Sequence, residues 1–240
     1  SKVQALIVFV QPPAAAAARR GHPWVWRDAL AKGKPGLFET GAEVRVAQVG
    51  GEPFARAIGD PTSPIALRIW RLEDAPLDVR FVGGRVRGAL ELRARLFPDD
   101  KTSAYRLLNG EGDRTPGWIA DRYGSIAVVQ VDGAAALAAF ERSKSAVLDA
   151  LAAAGIETVV RTLREGKQKV GLEVLRGDAA PDTVEVREHG VPFVVDLARG
   201  QKTGTFLDQR ENRKRIGALA ARKTMLNLFS YAGGFSLHAA

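Results

Sequence analysis

The 240 residues contain no cysteine. That excludes a disulfide framework, a cysteine zinc site and a thiol nucleophile within them. Histidine is scarce as well: His22, His189 and His238 lie far apart, without the spacing of a metal-ligand set, so no metal is expected. Nothing approaches the roughly 18 apolar residues that span a bilayer, and no membrane partner is expected. The opening SKVQALIVFVQPPAAAAARR faintly imitates a signal peptide. Its apolar run from Ala5 to Val10 is short, however, and is broken by Gln11, Pro12 and Pro13. It reads as a first β-strand followed by a loop in a cytoplasmic protein. No Gly-x-Gly-x-x-Gly is present either, which disfavours a dehydrogenase.

What is present describes a folded protein with an ordinary apolar fraction of 46 % and Gly and Pro spread along its length. A net charge of +8 favours a polyanionic partner. Residues 1–72 carry short alternating stretches, EVRVAQV and PIALRIWRL among them, with Gly50-Gly51 as a hairpin turn into PFARAIG. In PIALRIWRL, Ile65, Leu67 and Ile69 share one face and Arg68 and Trp70 the other. Such a pattern suggests a small β-barrel. From Asp78 to Phe97 the period changes to that of a basic helix. A loop, YRLLNGEGDRTPG, then leads into two strands paired about Tyr123-Gly124. An Ala-rich helix from about Ala134 ends at Gly155, a C-cap signal. ETVVRTL, VEVREHG and VPFVVDL supply more strands, with His189-Gly190 as a hairpin turn. The expected layout is a β-barrel over 1–72, a central α+β domain over 73–183, and the start of an α/β Rossmann-like domain over 184–240.

Two stretches carry chemistry. In LNLFSYAGGFSLHAA an apolar strand, Met225 to Phe229, runs into a turn with Gly233 and Gly234 and a helix beginning near Phe235. Glycines let backbone approach a ligand, and free N–H groups at a helix start suit a carboxylate or phosphate. The pattern does not by itself choose between a dinucleotide and another cofactor, and a plain tight turn explains it too. In GQKTGTFLDQREN, Gly200 and Gly204 flank Gln201, Lys202 and Thr203, and Asp208 stands where a helix N-cap would. Arg199 to Lys223 holds eight basic residues against two acidic ones, a density that suits a nucleic-acid groove as well as a solvated surface.

These two stretches, with RRGHPWVWRDAL near the start and AYRLLNGEGDRTPGWIADRYG in the middle, resemble the bacterial 23S rRNA cytosine-C5 methyltransferases that carry an N-terminal PUA domain. The resemblance extends over the whole chain. It implies S-adenosylmethionine as cofactor and 23S rRNA as partner. It places cofactor binding at Phe229, Ser230, Tyr231, Ala232, Gly233 and Gly234, with Asp208, Gln209 and Arg210 over the cleft. Ala232 stands where the family often has Thr. RNA contacts carry over to Arg20, His22, Lys202 and Thr203. Packing of the barrel by His22 and Trp24, and turn-making by Asn109, Glu111, Asp113 and Gly117, explain those residues equally well.

In that family a cysteine thiolate adds to C6 of the cytosine, C5 then takes the methyl group, and loss of the C5 proton expels the thiolate. The base leaves its stack to reach the site. With no cysteine among these residues, the nucleophile is expected beyond Ala240, the chain is expected to be the N-terminal portion of a longer product, and these 240 residues alone are expected to be inactive. Two other readings stay open: a non-catalytic PUA-containing RNA-binding module, and methylation of another base atom.

Overall fold

The computed structural model describes residues 5–31, 38–166 and 168–240. It divides into two compact units: Ser1–Ala89, Leu108–Ile119 and Val131–Ala150 form one, and Leu90–Leu107, Ala120–Gln130 and Leu151–Ala240 the other.

The first unit is built on five strands. β1 (Ile7–Val10) lies parallel to β3 (Glu43–Gln48), with Val8 opposite Val46. β4 (Pro53–Gly59) and β5 (Ile65–Arg71) follow as an antiparallel meander, and β2 (Trp24–Trp26) pairs antiparallel with β5. The order is therefore β1-β3-β4-β5-β2. A bridge between Val10 and Leu30, flanked by bonds from Gln11 N to Ala29 O and from Ala31 N to Phe9 O (both 2.9 Å), ties β1 to the chain leaving β2. That contact covers the free edge of β1 and curls the sheet into a half-barrel. Val10, Val25, Val44, Val46 and Leu67 fill the interior.

Two expectations for this unit are corrected. Residues 12–19, read as a loop, form helix α1 (Pro12–Arg19). Both prolines sit in the first turn, where their missing N–H groups have no intrahelical partner to lose, and the alanines after them favour helix. Ala15 and Ala18 pack inward. In β5 the alternation set Arg68 and Trp70 on a face of their own, opposite Ile65, Leu67 and Ile69, yet Ala66, Leu67, Arg68, Ile69 and Trp70 are all buried. Arg68 tolerates this through Glu111 (2.8 Å) and Asp132 (2.7 Å). Trp70 meets the fully buried Trp118 edge-on at 4.7 Å.

Helix α2 (Val79–Leu96) forms as expected, its first turn capped by Asp78 Oδ1, which accepts from Phe81 N at 2.8 Å. The second sheet has the order β10-β9-β8-β7-β6, from β6 (Ala104–Asn109), β7 (Trp118–Tyr123), β8 (Ile126–Val131), β9 (Thr158–Glu165) and β10 (Gln168–Arg176). β8 and β9 run parallel, joined through the long helix α3 (Ala134–Ala153), the kind of crossover that parallel pairing requires. β11 (Thr183–Glu188) and β12 (Val191–Asp196) form a hairpin whose turn places His189 and Gly190 at φ 51° and 88°. Tyr123, Val128, Val160, Val186, Val195 and Leu197 make the core of the second unit.

In the second sheet two strands were not expected: β6 lies where a loop was read, and β10 was passed over. At the carboxyl end, helix α4 (Arg210–Ala220) is preceded by a 3-10 turn over Leu207–Gln209. Gln209 occupies the cap position, so Asp208 is not the N-cap. The stretch Met225–Phe229 does not form the expected Rossmann strand. Among the described residues no strand lies beside it to take its hydrogen bonds, and Leu226, Leu228 and Phe229 are exposed. A short helix, α5 (Gly234–Ala239), follows. No described helix is long and apolar enough to cross a membrane.

Candidate functional site

The loop at residues 200–205 is held from below. Thr203 is fully buried, and its hydroxyl donates to Asp121 Oδ2 at 2.5 Å. With that proton committed, Tyr123 donates its own hydroxyl to Thr203 Oγ1 at 2.9 Å, and Thr205 N donates to Tyr123 at 3.4 Å. Asp121 is in turn forked by Arg106 at 2.8 and 3.1 Å. Burial and the neighbouring Asp121 carboxylate push the Tyr123 hydroxyl well above its usual range, so it stays a donor. Gly200 and Gly204 are needed for close packing. A Cβ on Gly200 would lie 2.2 Å from Asp196 O, and one on Gly204 would lie 2.7 Å from Val195 Cγ1.

This anchoring sets Lys202 at the tip of the loop in a left-handed conformation, φ 55°. Its ammonium lies 4.4 Å from the centre of the Phe206 ring and 3.9 Å from Asp208. The turn at residues 229–234 docks on the same loop. Tyr231 Oη accepts from Gln201 N at 3.1 Å and donates to Gly204 O at 3.4 Å, and its ring meets Phe206 edge-on at 5.4 Å. Between them opens a cleft of about 260 Å³ lined by Thr205, Phe206, Gln209, Asn227, Phe235 and the turn itself.

The floor of that cleft is a buried ion cluster. Glu188, at the end of β11, is fully buried and accepts two bonds of 2.6 Å from the Arg213 fork. Arg213 also donates to Phe206 O at 3.0 Å. His238 Nε2 of α5 sits 3.0 Å from Glu188 Oε1. Burial, with Arg213 and His189 adding to it, holds the His238 imidazole below its usual range, although Glu188 pulls the other way. Two glycines allow the close approach: a Cβ on Gly234 would lie 2.8 Å from Arg213 Cδ, and one on Gly217 would lie 2.1 Å from His238 O.

The structure thus brings together part of the expected set. Phe229, Ser230, Tyr231, Ala232, Gly234 and Gln209 line the cleft, with Phe229 wholly exposed at the rim. Gly233, at φ 72°, turns the chain into α5. Asp208 points to Lys202, and Arg210 lies over the Phe97 ring at 4.5 Å and pairs with Glu211, both outside the lining. Lys202 is exposed while Thr203 is enclosed. In the first unit, Arg20 is exposed and closes α1. His22 Nδ1 lies 3.0 Å from Trp24 O, and Trp24 Nε1 donates to Glu111 at 2.8 Å. Sequence reasoning missed Asp121, Tyr123, Glu188, Arg213 and His238. The described residues contain no group of three or more His, Asp or Glu placed to hold a metal ion.

Comparison with known proteins adds to this geometry. Residues 8–71 match the PUA-like domain family, and residues 127–240 match the S-adenosylmethionine-dependent methyltransferase family. The chain is 36 % identical over 227 residues to a ribosomal RNA large subunit methyltransferase I of Erwinia tasmaniensis, covering 92 % of this chain. It is 38 % identical over 241 aligned positions to a ribosomal RNA large subunit methyltransferase of Deinococcus radiodurans, again over 92 % of this chain. It spans 56 % of the length of each of these two relatives. Among solved structures it superposes on a candidate SAM-dependent methyltransferase from Streptococcus mutans with a TM-score of 0.80, covering 98 % of this chain and 60 % of that one. A second, a candidate methyltransferase complexed with SAH, gives 0.81 over 98 % and 59 %. Both are 23 % identical to the chain and speak to its fold alone.

Proposed function

Because the chain belongs to the proteins that join a PUA-like domain to an S-adenosylmethionine-dependent methyltransferase domain, we propose that it serves an enzyme that methylates large-subunit ribosomal RNA. The acceptor we assign is C5 of a cytosine in 23S rRNA, and the setting is cytoplasmic. Residues 1–72 act as the RNA-binding barrel, 73–183 as the central domain and 184–240 as the entrance to the cofactor site. The observation that carries this reading is the meeting of the Lys202 loop and the Tyr231 turn around one cleft.

The donor set of that cleft fits a cofactor with a polar amino-acid end and a flat ring system. Gln209, Asn227 and Ser230 offer amide and hydroxyl groups, Phe206, Tyr231 and Phe235 offer rings, and Gly234 lets Arg213 pack closely beneath them. S-adenosylmethionine, when bound, supplies an electrophilic methyl group. The chain's own part is to hold and orient. Arg213 is neutralised by Glu188 and therefore braces the floor rather than drawing a ligand carboxylate. Gln209 lines the cleft, while its neighbours Asp208 and Arg210 lie outside the lining, Asp208 beside Lys202. Lys202, exposed and stacked on Phe206, is placed to meet an RNA phosphate, and Thr203 keeps it there from within. Arg20 and His22 offer further RNA contacts on the first unit.

Addition of a thiolate to C6 needs a cysteine, and these 240 residues have none. We assign that nucleophile to residues outside them, and expect the 240 residues alone to leave RNA unmethylated. Titration calorimetry with SAH tests the cofactor assignment. Substituting Gly234→Val, whose Cβ would lie 2.8 Å from Arg213 Cδ and so displace the floor of the cleft, is expected to weaken binding at least tenfold. SAH binding at equal affinity in both proteins would overturn the assignment of this cleft.

A further inference from the structure

The first unit holds another cleft, of about 360 Å³ and predominantly polar lining. Arg71 at the end of β5, Phe81 and Arg85 on α2, and Arg114 just after β6 converge on it. Phe81, Arg85 and Arg114 fall between the two family-matched segments, 8–71 and 127–240.

The charges of this cleft do not balance. Arg71 is paired with Glu73 at 2.8 and 2.5 Å. Glu111 is committed to Arg68 and Trp24, each at 2.8 Å. Among the described residues, neither Arg85 nor Arg114 has a carboxylate within ion-pair reach, and Arg85 Nε is buried without an acceptor. The guanidinium groups of Arg71 and Arg85 lie 4.8 and 4.9 Å from the centre of the Phe81 ring, which fixes their position by cation–π attraction. Burial of Arg85, with Arg114 and Arg71 nearby, lowers its pKa, and the Glu73 carboxylate pulls the other way without outweighing them. Guanidinium forks held in this way match the geometry of phosphate oxygens.

We propose that this cleft binds a phosphodiester of the RNA substrate, with Arg85 and Arg114 as donors and Phe81 as the residue that positions Arg85. The proposal rests on the RNA reading given above. Fluorescence anisotropy with a labelled single-stranded RNA, across 50–200 mM salt, tests it. Each neutralised phosphate adds about 0.7 to the slope of log affinity against log salt for a single strand, so the double variant R85Q/R114Q, which empties the site of one phosphodiester, is expected to lose about 0.7 from that slope. R85K/R114K keeps the charges and is expected to keep the slope. F81L keeps the slope and lowers the affinity. If the wild-type protein binds RNA and R85Q/R114Q shows the same slope, the cleft assignment falls while the RNA reading stands. If the wild-type protein binds no RNA, both fall. Inorganic phosphate bound by the wild-type protein and not by R85Q/R114Q, with the RNA slope the same in both, would give the cleft to a free phosphate and overturn the RNA assignment.

Discussion

Glu188 is a carboxylate with no access to solvent, and its charge is tolerable only because Arg213 meets it with two short bonds and His238 stands beside it. Removing one partner of such a pair leaves the other buried and uncompensated, which costs about 3–5 kcal/mol. Glu188→Gln is therefore expected to destabilise the second unit by that order in urea melts, and Glu188→Gln combined with Arg213→Met by distinctly less. A double variant as unstable as the single one would show that the pair acts through shape rather than charge. Thr203→Val makes the complementary point on the Lys202 loop. The valine fills the space but strips Asp121 of a donor and Tyr123 of its acceptor, for a loss of about 1–3 kcal/mol. The outer residues of this site were legible in the sequence because they lie in two contiguous motifs. Glu188 and Arg213 were not, for they stand 25 positions apart, and Asp121 and Thr203 stand 82 apart. Such partners are joined by folding alone, and Glu188 in an alternating strand looks like any solvent-facing acid.

At the level of elements, α5 is attached mainly through His238 and through the two glycines that let it approach α4. Gly217→Ala would drive a methyl group into His238 O, so α5 is expected to separate from α4 and its amides to exchange faster with solvent. The imidazole supplies a pH dependence. Its pKa in the folded protein lies below the unfolded value of about 6.5, so the folded state binds fewer protons there. The stability it contributes is complete above about 6.5 and is lost as pH falls through the folded value. Glu188, Arg213 and His189 all face it and set that value together. Melts of the wild-type protein between pH 7.5 and 5 are expected to show the loss, and His238→Phe to remove that component. Elements with strong periodicity, α2, α3, β7 and β8, were readable from spacing. α1 was not, because Pro12-Pro13 reads as a break until the first-turn rule is applied to it. β6 was hidden by the turn residues that follow Asn109. β10 was hidden because it lies at a sheet edge with Val170 and Val174 exposed, where the apolar-in pattern fails. The supposed strand at Met225–Phe229 shows the converse. Apolar sequence proposes a strand, and only a neighbouring strand makes one.

For the molecule as a whole, the +8 charge and the absent cysteine pull two properties apart. Binding of RNA needs only placed cations, which this chain has at Lys202 and in the Arg85 cleft. Covalent activation of a cytosine needs a thiolate, which it lacks. RNA carrying 5-fluorocytidine separates the two, because the fluorine replaces the C5 proton whose loss would release the enzyme, so any adduct persists. The 240-residue polypeptide, mixed with such RNA and S-adenosylmethionine, is expected to retard the RNA on a native gel. That retardation should weaken steeply between low and physiological salt, as counter-ion release requires. On a denaturing gel the same sample is expected to show free RNA only. A band surviving denaturation would mean that some residue other than cysteine attacks C6, and the covalent route assigned here would have to be rebuilt around that residue. Retardation indifferent to salt would instead place the contact on the bases, through rings such as the half-exposed Trp26, and not on the phosphates.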